Sequence, residues 1–177
     1  MIMRHVWTLV VAALLSASGL RSQTVEIPTG EWQIYDVTDP INDRTGTIAR
    51  ISDGANSLVL GCDLSLRTRP LQVQLRPARL IENLGGLTNV RFRFDGGDVD
   101  LYAFDVLAMF PDPIIGTDRS GRVMEILGRI SASEALVVRA TDHSGQPIDM
   151  RFEIAGGGEA VRRVLLGCGR DPLPPLH

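Results

Sequence analysis

The 177-residue chain has no lysine; all 18 of its basic residues are arginine. A bias this complete points to the coding composition of the source before any demand for guanidinium chemistry. Other reactive residues are scarce: there are three histidines, His5, His143 and His177, and two cysteines, Cys62 and Cys168. Zinc takes three or four Cys or His ligands at short spacing, so a zinc centre is not expected. A serine triad needs a histidine oriented by a carboxylate beside an exposed nucleophile. Asp142 directly precedes His143, adjacent residues in a turn do not face one another, and no G-x-S-x-G occurs. His143 therefore reads as a solvated turn residue. No cofactor is expected either. Gly156-Gly157-Gly158 forms neither G-x-G-x-x-G nor a P-loop, no lysine follows, and Glu159 would repel an anion.

Long apolar runs are missing too. The run from Val6 to Leu15 is shorter than the roughly 20 residues a permanent membrane helix requires. With Arg4 before it and Ser16-Ala17-Ser18 after it, the run fits a secretory signal peptide over residues 1–22, cleaved near 18–23. No cysteine stands at that junction, so a lipid anchor is not expected. The expected product is periplasmic or secreted, with no stable membrane insertion after cleavage. Losing Arg4 and Arg21 leaves 16 basic against 21 acidic residues, a net charge of −5. Mild acidity argues against a nucleic-acid partner. The remainder divides into a flexible lead (24–30), one β-rich domain (31–169) and a proline-rich tail (170–177) with no core role.

Two cysteines in an exported chain are most simply a pair. A disulfide between Cys62 and Cys168 would close nearly the whole domain. The chain-entropy model assigns a loop of that size about 4.7 kcal/mol, close to the total stability of a small domain. Cysteine nucleophile chemistry would need one of them free near His143, and pairing is the simpler reading.

The rest of the chain alternates on a short period. Residues 31–37 place Trp32, Ile34 and Asp36 on one side, and 38–46 are dense in turn formers. Residues 47–51 and 57–62 flank Asp53-Gly54, a hairpin signal. Leu71, Val73 and Leu75 alternate with polar residues up to Pro77; Val90, Phe92 and Phe94 alternate with Arg91 and Arg93 up to the Asp95-Gly96-Gly97 turn. Residues 99–110 are extended, and 134–141 with 148–154 read as a hairpin around Asp142–Gly145. Val123, Ile126, Leu127 and Ile130 share a helical face, as do Ala160, Val161, Val164, Leu165 and Cys168. Gly156–Gly158 supply the bend into that second helix. Seven or so strands and two short helices predict a mainly β, sandwich-like fold, with one helix near the C-terminus and one disulfide.

Two clusters offer chemistry. Asp95, Asp98 and Asp100 gather three carboxylates, as calcium sites do, without the spacing or terminal Glu of an EF-hand. A solvated hairpin turn is the plainer account, and no metal is expected. Carboxylates from Asp95 to Asp105 could also serve a small envelope hydrolase, the rival to a non-enzymatic reading. The arginines are more informative. Residues 64–94 carry Arg67, Arg69, Arg76, Arg79, Arg91 and Arg93 against Glu82, whereas 95–118 carry six aspartates and no basic residue. Either the two stretches neutralise each other, or a basic strand face (Arg67, Arg69, Arg76, Arg91, Arg93) docks an acidic partner or envelope glycan.

Taken in order, Trp32, the DPINDRTGT turn at 39–47, LVLGC at 58–62, MEILGRI, ALVVRAT and FEIAGGGEAVRRVLLGCG resemble the type VI secretion-associated VasI-like proteins, small exported β-rich proteins. The likeness spans about residues 31–169. It implies an accessory envelope role without established catalysis, with a secretion-machine component or other envelope protein as partner. Gly156–Gly158 in place of a bulkier residue and the acidic turn at 95–100 depart from that pattern.

Overall fold

The computed structural model describes residues 31–78, 86–107, 114–118 and 121–173. The expected signal peptide, the lead at 24–30, Arg79, Glu82, Asp112 and His177 lie outside the described residues. Among those described, no helix is long and apolar enough to cross a membrane.

Among the described residues, nine antiparallel strands form one sheet. They are β1 (Gln33–Thr38), β2 (Thr45–Asp53), β3 (Asn56–Cys62), β4 (Leu71–Arg76), β5 (Leu87–Phe94), β6 (Val99–Leu107), β7 (Ile114–Asp118), β8 (Ala135–Thr141) and β9 (Pro147–Glu153). Their order across the sheet is β1-β2-β3-β4-β7-β6-β5-β8-β9. Helix α1 (Val123–Ala132) precedes β8, and α2 (Gly157–Gly167) follows β9. The mainly β fold with two short helices, one near the C-terminus, and the disulfide are as expected. The sandwich-like layering comes from one continuous sheet whose ends approach each other. The Arg151 N–H on β9 donates to Asp53 Oδ2 at the tip of β2 (3.0 Å), and Trp32 Nε1 donates to Ile154 O (3.3 Å).

Alternation decides which face is buried. Val90, Phe92 and Phe94 on β5 face inward with Tyr102 and Phe104 on β6, Leu136 and Val138 on β8, and Met150 and Phe152 on β9. The Phe92 ring sits 5.1 Å from Tyr102 edge-on and 5.8 Å from Phe104 in a stack. Such contacts add about 0.5–1.5 kcal/mol each beyond burial. The helices join the same core, α2 chiefly against β2, with Ile126, Leu127 and Ile130 from α1 and Ala160, Val161, Val164 and Leu165 from α2, all buried.

Two glycines set how close the helices come. A Cβ at Gly157 would lie 2.5 Å from Ile130 O on α1, and one at Gly167 would lie 2.1 Å from Thr47 Oγ1 on β2. The bend itself belongs to Gly156, whose φ of 79° is open to few other residues. Gly157 and Gly158 are then already helical. Beyond the last turn of α2, Cys168 bonds to Cys62 with the Cα atoms 6.0 Å apart, 106 positions apart in sequence.

Two expectations need correction. The reading lacked β7, five residues following Pro111 and Pro113, because the prolines and Gly116 mimic a turn. Only the sheet context supplies its pairing with β4 and β6. The tail also has a core role: Leu173 packs against the buried cluster, and Arg170 N–H donates to Leu165 O at 2.8 Å.

Candidate functional site

The acidic turn closes the β5–β6 hairpin. Asp95 and Gly96 both take positive φ (48° and 73°), and the Gly97 N–H returns to Phe94 O at 2.8 Å. Two successive positive-φ residues match the twist of flanking strands. Asp95 Oδ1 then accepts the backbone N–H groups of Glu134 (2.9 Å) and Ala135 (2.8 Å), tying the turn to the start of β8. Those bonds, Ala135 first, hold its carboxyl below the usual range. A general acid needs the opposite shift. Asp100 lies on the inward parity of β6 and pairs with Arg129 of α1, whose guanidinium also covers the Phe94 ring at 4.3 Å. Asp98 is exposed. Among the described residues no three His, Cys, Asp or Glu side chains converge to hold a metal.

Asp100 and the β5 arginines therefore occupy opposite faces, so this pair does not neutralise across the strand. Arg91 and Arg93 point outward, where the sheet places further arginines beside them. Arg91 lies directly opposite Arg139 on β8, while Val137 stands between Arg93 on one side and Arg151 of β9 on the other. Among the described residues, Asp149 is the one carboxylate lining the concavity of about 250 Å³ that these residues form. Arg139 binds it with Nε and Nη2 (2.5 and 2.6 Å). That bidentate bond first, and the charges of Arg139 and Arg151 after it, lower the Asp149 pKa. Arg93 is held by the turn, donating to Gly97 O (2.9 Å) and Gly96 O (2.7 Å). Exposed Val99 and Leu101 flank the arginines on β6.

The five arginines singled out in the sequence do not share one face. Arg67 and Arg69 lie in the β3–β4 connection, where Arg69 Nη1 donates to Thr45 O (3.5 Å). Arg76 is on β4, across the sheet from β5, beside Arg50 in a separate depression. Arg139 and Arg151 were missed. The outward alternation of β8 and β9 was available as a signal, but nothing in the sequence showed that β8 pairs with β5.

His143 is exposed at the tip of the β8–β9 hairpin. Its neighbour Asp142 is buried and accepts the Ser144 hydroxyl (2.6 Å) and the Ser144 and Gln146 N–H groups (2.9 and 2.8 Å). The Ser144 hydroxyl first and the Gln146 N–H next lower its pKa. The carboxylate shapes the turn.

The sequence matches no protein-family model and no curated protein. Among solved structures, the fold is similar to the crystal structure of invasion associated protein B from Bartonella henselae. The TM-score is 0.51 at 14% identity, over 79% of this chain and 95% of that one. The likeness is one of fold, and it spans nearly all of the other protein.

Proposed function

We propose that this protein is a non-enzymatic, exported accessory module that docks an acidic segment of an envelope protein on the outer face of β5, β8 and β9, in the setting of type VI secretion. One observation carries the reading: Arg91, Arg93, Arg139 and Arg151 converge on one outward concavity in which, among the described residues, Asp149 is the single carboxylate. Like charges placed directly opposite on a sheet are unfavourable, as Arg91 and Arg139 are. An acidic partner relieves that repulsion and steers its own association. Val99, Leu101 and Val137 supply apolar contact between the charges. The non-enzymatic part is supported by Asp95 and Asp100, which are occupied by backbone amides and by Arg129.

The test is photo-crosslinking in intact cells from a reactive residue at Leu101, with captured proteins identified by mass. The expected result is an envelope protein crosslinked through an acidic stretch, belonging to the secretion machine, and lost when Arg91 and Arg151 become Glu. Capture of abundant porins alone, or capture indifferent to those charge reversals, overturns the proposal.

A further inference from the structure

The outer face of β1–β4 holds a second depression, also about 250 Å³. Three cross-strand rows run across it, with Gln33, Ser52 and Ser57 standing outside its lining. Gln33, Arg50, Val59 and Gln74 form one; Tyr35, Ile48, Gly61 and Gln72 the next; Ser52, Ser57 and Arg76 the third. None of these rows contains an Asp or Glu.

Gly61 forms the floor. Its φ is not positive, and a Cβ there would meet only Ile48 Cγ1 at 3.4 Å and Thr47 O at 3.9 Å. Neither backbone nor packing demands glycine, and the missing side chain leaves the depression open.

Arg50 and Arg76 are half-buried on either side of Val59, the Nε of each is sealed from solvent, and neither Nε has an acceptor. Among the described residues neither guanidinium has an ion-pair partner. Ser52 Oγ, in the row of Arg76, is buried and unpartnered as well. Desolvated donors without acceptors are unfavourable, and native structures hold few of them. Both arginines also line the depression, where an acceptor arriving from outside the chain meets the rest of each guanidinium rather than its sealed Nε.

We infer that this depression binds a small organic molecule through a carboxylate or phosphate group. The oxyanion lies between the Arg50 and Arg76 guanidiniums, whose planar forks match either group. The carbon skeleton lies over Gly61 against Ile48 and the half-exposed Tyr35 ring. Gln74 Nε2 donates to Gln72 Oε1 (2.8 Å), which leaves Gln74 Oε1 and Gln72 Nε2 to meet hydroxyls of the ligand. The volume is below the usual range for drug-sized ligands, so the occupant is small.

The experiment follows the arginine Nε–H resonances by NMR while inorganic phosphate or succinate is added at constant ionic strength. The Arg50 and Arg76 signals are expected to shift saturably with each probe. Arg50→Gln weakens binding by about tenfold or more, as losing a charged hydrogen-bond donor does. Gly61→Val, which keeps both arginines and suits a strand, weakens it similarly by filling the floor. The Arg91→Gln, Arg151→Gln double variant, which removes the other face, binds as the parent does. Absence of a saturable shift, or unchanged affinity in the Gly61→Val variant with a native amide spectrum, overturns the inference. The outcome is independent of the crosslinking result, which depends on Arg91 and Arg151.

Discussion

The outer surface of the sheet carries arginine under two different conditions. On β5, β8 and β9 the guanidiniums are exposed and share a carboxylate, with Arg139 fixed by Asp149. On β2 and β4 they are half-buried, and their Nε atoms have no acceptor. The exposed set suits a large partner that brings its own charge to an open face, because exposed charges act over distance and exchange readily. The half-buried set suits a small ligand, because it lines a depression too small for a large partner. The same residue type thus serves steering in one half and local recognition in the other. Burial and counter-charge separate the two roles; net charge does not.

The largest test asks whether the halves stand independently. The Cys62–Cys168 loop encloses everything from β4 to α2, including all of β5, β8 and β9. Replacing both cysteines with serine is expected to lower stability by about 2–5 kcal/mol in denaturant melts. Amide exchange should quicken in both halves together. If protection is lost only around β3 and the end of α2, the sheet is two separately stable pieces and the comparison must be redrawn.

A smaller test uses acid. Asp95, Asp149 and Glu125 all have lowered pKa values: Asp95 through backbone N–H groups, Asp149 through Arg139 and Glu125 through Arg122. All three belong to the β5–β9 side with α1. A carboxylate whose folded pKa lies below its unfolded value stabilises fully above the unfolded value, about 4. That contribution disappears as pH falls through the folded value. Stability should therefore decline below about pH 4, beginning in β5, β8 and β9, while among the described residues the half around Arg50 and Arg76 has only Glu159 on α2, paired with Arg162, to lose. Asp95→Asn should flatten the decline, as read from melting temperature against pH. An unchanged acid profile in that variant would show that the turn bonds contribute nothing.

Much of this was legible beforehand. The 3.6-residue period of 123–130 and 160–168 fixed both helix faces, since amphipathic spacing is a local property. The alternation of 90–94 gave the outward direction of Arg91 and Arg93 for the same reason. The cysteine pair followed from count and the expected export. What could not be read was order across the sheet. Arg139 and Arg151 join Arg91 because β8 pairs with β5, a contact set by long-range burial. Arg50 looked unremarkable in TIARIS until β4 brought Arg76 beside it. Strand β7 was hidden because five residues after two prolines resemble a turn, and its partners lie far off in sequence.

The finest test concerns Arg91 itself. It faces Arg139 across the β5–β8 ladder, and among the described residues it has no ion-pair partner of its own. Like charges in that register cost about 0.2–1 kcal/mol, toward the lower end here because Asp149 offsets part of the Arg139 charge. Arg91→Gln is therefore expected to raise stability by that amount while weakening crosslinking from Leu101. Arg50→Gln offers the counterpart: it removes a desolvated donor without an acceptor, so the free protein should also gain, while oxyanion binding falls. A residue kept at the expense of the free fold is explained by what the fold binds. Should Arg91→Gln destabilise the protein in denaturant melts, Arg91 has a structural role, and the outer face of β5 loses its claim as a docking surface.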